Sequence, residues 1–264
     1  MTIRRKVDAL EVRVCDGPEA LARAAAQAAG AELRSALAKQ DEAAVIVASA
    51  ASQVLFLDRL VAEEGIDWSR VTFFHMDEYL GITDDHPASF RRFLRDRVEA
   101  RVRPKVFHYV RGEAELPIRE CDRYGGLLAG QPIDLCCLGI GENGHVAFND
   151  PPVADFADDR LMKLVKLDEA CRRQQVGEGA FRSLGAVPEY AYTLTVPALC
   201  GARRMICVVP ERRKAEAVRD TLTGPISTAC PASVLRRQNH AVLFLDRDSA
   251  SLWPGALRPS EDEE

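Results

Sequence analysis

The sequence predicts an α/β protein with a doubly wound, mostly parallel, Rossmann-like sheet and helices on both faces. Three observations carry that expectation. Short apolar runs rich in β-branched residues alternate with helix-type segments along most of the 264 residues. Several runs, such as Ile133–Leu138, are apolar at every position or nearly so, the pattern of strands covered on both faces. Finally, Ile133 to Ile140 leads straight into a glycine-punctuated loop, and in such sheets ligands sit outside the carboxyl ends of strands.

The elements follow in order. Leu10–Val14 reads as a strand, and the Ala-rich stretch Pro18–Lys39 as a helix with Asp16 as its N-cap. Strand Ala44–Ala48 precedes a helix from Ser52 to Glu64, and strand Val71–His75 precedes a helix Ala88–Ala100. A short segment Phe107–Val110, helix Leu116–Leu128 and strand Ile133–Leu138 come next. Weak periodicity with many charges and glycines makes Val153–Val187 read as a mobile segment, apart from a helix Asp168–Val176. Strands Tyr192–Val196, Met205–Val209 and Ala241–Leu245, with helix Glu211–Leu222, complete the expected sheet. No internal repeat or linker divides residues 1–264, so one domain is expected, with a frayed acidic tail over 255–264.

Bulk composition narrows the class. Hydrophobic residues make up 47% and charged residues 28%, ordinary values for a globular protein. A net charge of −5 gives no electrostatic case for nucleic acid or an anionic membrane as partner. No apolar run approaches the roughly 18 residues of a membrane span, and the charged start, Met1-Thr-Ile-Arg-Arg-Lys6, lacks a signal-peptide core. Eight cysteines without a CxxC pair read as buried thiols in a reducing, cytoplasmic compartment. The expected partner is a small molecule, and a homo-oligomer is left open.

Two stretches carry the chemistry. Gly139-Ile-Gly-Glu-Asn-Gly-His145 places an imidazole, the side chain that titrates nearest neutrality, in a loop at a strand end. Gly141 and Gly144 there permit tight turns and close approach of a substrate. Val71-Thr-Phe-Phe-His-Met-Asp-Glu-Tyr79 ends a second strand in Asp77 and Glu78. Two strand ends bearing acid and base groups suggest one shared proton-transfer site; taken alone, Asp77 and Glu78 also read as a turn pair closing the strand. The G-x-G-x-x-G match at Gly139–Gly144 has no long helix behind it and no acid placed for a ribose, which excludes a dinucleotide site. His75 reads as a packed strand residue, and no His/Cys/Asp spacing fits a structural zinc.

Phe74-His-Met-Asp-Glu-Tyr79, His86-Pro-Ala-Ser-Phe90 and Gly139-Ile-Gly-Glu-Asn-Gly-His-Val-Ala-Phe-Asn-Asp-Pro151 together resemble the glucosamine-6-phosphate deaminase/isomerase family, over roughly Val45 to Asp246. The related 6-phosphogluconolactonases continue the Gly-His loop with a Ser-Leu-Phe-Pro type sequence, where this chain has Ala147-Phe-Asn-Asp-Pro151. The resemblance implies conversion of an amino-sugar phosphate to a ketose phosphate and ammonia, with neither metal nor redox cofactor. It implies Asp77 as the base at C2 and His145 acting on the ring oxygen. Asp150 stands at the place of a family glutamate in the histidine relay, and Asn143 where the family usually has aspartate. The family's Thr-Gly-Gly-Thr-Pro phosphate turn corresponds to Ser49-Ala-Ala51-Ser52-Gln53, which keeps two hydroxyls and a helix start suited to an anion. Phe90 stands where many relatives have tyrosine. Lys214 matches a family lysine, with Arg172 or Arg173 as the guanidinium partner for phosphate. Glu78, Gly141 and Gly144 complete the expected substrate-binding set. The same residues also suit a lactonase or a non-catalytic sugar-phosphate sensor.

Overall fold

The computed structural model describes residues 2–256. Fully buried apolar runs form the centre of an eight-stranded sheet, ordered β1-β2-β11-β10-β7-β3-β4-β6. These strands are β1 Thr2–Val7, β2 Leu10–Cys15, β3 Ala43–Val47, β4 Val71–His75, β6 Val106–His108, β7 Leu135–Leu138, β10 Arg204–Val209 and β11 Ala241–Asp246. Every neighbouring pair is parallel except β1 with β2. Those two form a hairpin through Asp8, which has a positive φ of 52°.

The side-chain alternation of β3 sorts the core into two layers. Ala44 and Ile46 pack with Tyr124, Leu199 and Leu222 on one face. Ala43, Val45 and Val47 pack with Leu33 of helix α1 (Pro18–Leu37) and Phe56 of helix α2 (Val54–Leu60) on the other. The first face is covered by α5 (Pro117–Ala129), α7 (Val196–Cys200) and α8 (Ala215–Thr223). Helix α1 buries an Ala-rich stripe, Ala22, Ala25, Ala26 and Ala29, which lets it lie close to the strands. Truncating the fully buried Leu33 in that stripe to Ala would cost about 2–5 kcal/mol.

The expected class is therefore the observed one, with differences in detail. The edge strand β1 has a half-covered, alternating pattern and pairs antiparallel, a pairing that no buried run announced. Asp16 does not cap α1: the N-cap is Gly17 with Pro18 next, and Asp16 pairs with Arg247. The helix expected over Ser52–Glu64 ends at Leu60, and the one expected from Glu211 begins at Ala215 after a 3-10 turn, Arg212–Lys214.

The strand read at Tyr192–Val196 lies at β9 Tyr190–Leu194, outside the main sheet. It is the middle strand of a separate antiparallel sheet, β5-β9-β8, with β5 Asp77–Tyr79 and β8 Met162–Lys166. The stretch Val153–Val187 thus holds an ordered strand and helix α6 (Glu169–Gly177), capped by Asp168. Its order comes from a third apolar cluster around Tyr79, Phe148, Leu167, Cys171 and Phe181, assembled from distant segments rather than local periodicity. Helix α3 (Phe90–Leu94) runs through a π-helical turn, Arg95–Glu99, into α4 (Ala100–Val102). The acidic tail expected to fray lies, from residue 257 on, outside the described residues.

Candidate active site

Strands β3 and β7 are neighbours, with Val47 opposite Cys137, and Ala48 N–H donates to Cys137 O at 3.0 Å. From β3 the sheet proceeds outward through β4 and β6; from β7 it proceeds the other way through β10 and β11. Their loops therefore part at the strand ends, and a crevice opens there. Ser49, Ser52, Asp77, Gly141, His145 and Lys214 all line it. Residues singled out from distant parts of the sequence thus face one space.

The His145 side is a closed polar network. His145 Nδ1 lies 3.0 Å from Asp150 Oδ1, with the ring tilted off a straight hydrogen-bond line. Asn143 Nδ2 donates to the same Asp150 oxygen at 3.0 Å, and Asp168 N–H donates to the other at 3.0 Å. Burial alone would raise the Asp150 pKa, but His145, Asn143 and the Asp168 N–H hold it below the ordinary carboxylate range. Asn143 does not bond the imidazole; its Oδ1 accepts the backbone N–H of His145 at 3.1 Å, so it fixes the loop and Asp150 instead. Two glycines are required here. A Cβ on Gly141 would stand 2.1 Å from His145 Cε1, and Gly144 has φ +81° with Cys230 Sγ 2.8 Å from where its Cβ would be. Gly144 supports the loop and does not line the cleft.

The Asp77 side is different. Asp77 begins β5, opposite Thr193 of β9, and its Oδ1 is buried without a hydrogen-bond partner. Burial, then the charge of Glu78, pushes its pKa well above the ordinary value. Glu78 points away from the cleft. Its carboxylate accepts from Ser89 Oγ at 2.9 Å and from the backbone N–H groups of Tyr79, Phe90 and Arg91, which anchors the start of α3. Burial nevertheless lifts Glu78 to about 7. Its expected contact with substrate is replaced by this structural one.

In the same cleft, Ser49 Oγ is buried without a partner, and Gln53 ties the turn to β10 by donating to Val208 O at 3.0 Å. Ala51 is exposed and faces an adjoining chamber rather than the cleft. Lys214 is 2% exposed, and desolvation lowers its pKa. Neither arginine expected beside it takes that place. Arg172 donates to Leu184 O and Val187 O at 2.8 and 3.0 Å, and Arg173 is exposed beside Glu169 on the outer face of α6. Helix α6 instead presents Gln174, Gln175 and Glu178 to the cleft. The spacing of Cys171, Gln174, Gln175 and Glu178 was the available signal, since these positions share one helical face.

Ligand atoms of His145, Asp150 and Cys171 lie within 4.8 Å of one another. The set suits a metal poorly: both Asp150 oxygens are already engaged, and burial, then Asp150, drives the Cys171 thiol well above its ordinary pKa.

Comparison with known proteins agrees with this geometry. The profile of a family described as glucosamine-6-phosphate isomerases/6-phosphogluconolactonase matches residues 16–244. A glucosamine-6-phosphate deaminase of Exiguobacterium sibiricum is 36% identical over 190 residues, 72% of this chain and 73% of that one. One from Pseudarthrobacter chlorophenolicus is 31% identical over 249 residues, 92% of each. A solved monomeric glucosamine-6-phosphate deaminase superposes with a TM-score of 0.83 at 29% identity, covering 91% of this chain and 99% of that one. The 6-phosphogluconolactonase of Thermotoga maritima shares the fold, with a TM-score of 0.71 at 20% identity over 89% of this chain and 98% of that one. A topological switch point holding this acid–imidazole pair, with a matching profile across most of its length, assigns the chain to the glucosamine-6-phosphate isomerase/6-phosphogluconolactonase family.

Proposed function

We infer that this protein is an enzyme of amino-sugar metabolism that converts glucosamine 6-phosphate, or a close hexosamine phosphate, and water to fructose 6-phosphate and ammonia. The observation that carries the reading is that Asp77 and His145, sixty-eight positions apart in the sequence, line one cleft together with Ser49, Ser52 and Lys214. Asp77 takes the proton from C2 of the open-chain sugar and delivers it to C1, and its raised pKa makes it a stronger base than an ordinary carboxylate. His145 exchanges a proton with the ring oxygen during opening, with Asp150 fixing its tautomer. Asn143 and Asp168 hold Asp150 in turn. Ser49, Ser52 and Lys214 receive the phosphate.

No described helix is long and apolar enough to cross a membrane, and all eight cysteines are free, which supports a reducing, cytoplasmic location. The test is a panel of hexosamine phosphates assayed for ammonia and ketose phosphate, beside hydrolysis of 6-phosphogluconolactone. Ammonia and ketose in equal amounts are expected. Lactone hydrolysis without ammonia would assign the chain to the lactonase branch, and binding without turnover would make it a sensor.

A further inference from the structure

The cleft is lined by Lys214 but by no arginine, and Lys214 already has a counter-charge. Glu178 Oε1 lies 3.9 Å from Lys214 Nζ, and the two side chains are only 6% and 2% exposed. The same oxygen accepts from Gln174 Nε2 at 2.7 Å and lies 3.7 Å from Arg213. Arg213 is itself held by Glu211 at 2.6 Å and lies 3.9 Å from Glu142. Two cations at this end therefore face three carboxylates.

A phosphate dianion binds through cationic or N–H donors. Here an arriving dianion meets a buried carboxylate on the ammonium that would hold it, and two like charges in a desolvated space repel. Glu178 has room to leave. It is the C-cap residue of α6, flanked by Gly177 and Gly179, where an added Cβ would meet nothing within 4 Å. It also lines the adjoining chamber, whose wall includes Arg97.

We propose that Glu178 is a specificity-determining residue that competes with the substrate's phosphate for Lys214, so that only a ligand whose remaining contacts offset its displacement is held. This rests on the reading of the Lys214 end as the phosphate end. It makes the cleft weaker for bare dianions, such as inorganic phosphate, than a lysine-lined site without the carboxylate would be. It also makes the sugar's own contacts the condition for tight binding.

The experiment measures binding of inorganic phosphate by calorimetry, and KM and kcat for glucosamine 6-phosphate, in wild type, Glu178→Gln, Lys214→Met and the double variant. Glu178→Gln keeps the shape and the acceptor for Gln174. It is expected to tighten phosphate binding and lower KM by about tenfold each, with the change concentrated in KM. In the Lys214→Met background the same substitution is expected to change phosphate binding less than twofold, because the shared partner is gone. Unchanged or weaker phosphate binding in Glu178→Gln overturns the proposal. So does an equal gain with or without Lys214, which would mean a general field rather than competition for one ammonium. Glu178→Asp, which withdraws the carboxylate by one methylene, is expected to fall between wild type and Glu178→Gln. Tighter phosphate binding in Glu178→Gln with no ammonia from either protein would leave this inference standing and remove the proposed reaction.

Discussion

Asp77 and Asp150 are two buried carboxylates that serve one cleft, and their surroundings push them in opposite directions. Asp150 is wholly buried, yet two N–H donors and the neighbouring imidazole keep it below its ordinary pKa. Asp77 is 7% exposed, has one oxygen without any donor, and sits next to Glu78; it is pushed well up. Burial alone does not separate them; the count of donors does. A carboxylate with donors stays charged and orients its neighbour, while one without donors holds its proton more tightly and is the better base. Enzymes that need both roles at one pH commonly divide them this way.

Asp77→Asn breaks the comparison at its reactive end. The amide cannot accept a proton, so kcat for ammonia release is expected to fall about ten-thousandfold. The sign of the pH dependence follows from the same group. Asp77 works when deprotonated and its pKa is raised, so kcat/KM should climb with rising pH along a limb that lies above the ordinary carboxylate range. A limb centred near pH 4, or an Asp77→Asn enzyme within tenfold of wild type, would show that another group is the base.

Asp150→Asn breaks the other end and should cost less. It removes the charge beside His145 and sets two amides face to face, since Asn143 Nδ2 lies 3.0 Å from Asp150 Oδ1. A loss in kcat of about a hundred- to a thousandfold is expected, because the ring keeps its packing over Gly141 while its preferred tautomer is lost. Steady-state kinetics with KM near wild type would confirm that the residue orients rather than binds.

These two residues also mark how far sequence alone reaches. Asp77 and His145 follow the ends of the apolar strands β4 and β7, and the strand ends of a parallel sheet share one edge, so their convergence was legible. The main sheet was legible for the same reason, since Ala43–Val47 and Ala241–Asp246 are buried at every position. The β5-β9-β8 sheet was not. Its strands are short, it pairs Asp77 with Thr193 across more than a hundred residues, and β8 interleaves buried and half-buried positions with charges. That sheet places α6, which is why the shared face of Gln174, Gln175 and Glu178 was legible as a helical face but not as a wall of the cleft, while Arg173 could be mistaken for a cleft residue.

Asn143→Asp sharpens the comparison by making the donor side more like the Asp77 side. A new carboxylate would stand about 3 Å from Asp150 in place of an N–H donor, and like charges at that distance cannot both ionise freely. Thermal unfolding is expected to show a loss of about 1–3 kcal/mol. Because Asp150 still lies beside the imidazole, kcat is expected to change less than tenfold. Unchanged unfolding would mean that Asn143 acts through the His145 backbone N–H alone and not through Asp150.

Arg173→Ala has the smallest expected effect and tests the boundary of the site. The guanidinium is 71% exposed and pairs with Glu169 four residues earlier, an exposed helix-surface pair worth about 0.3–0.5 kcal/mol. It does not line the cleft, whereas Lys214 does. Arg173→Ala should therefore leave KM for the hexosamine phosphate within twofold, and the midpoint of unfolding should move by no more than a degree or two. A tenfold rise in KM would mean that α6 turns on binding to bring Arg173 to the phosphate. The contacts of Glu178 with Gln174 and Lys214 would then have to break when the phosphate binds.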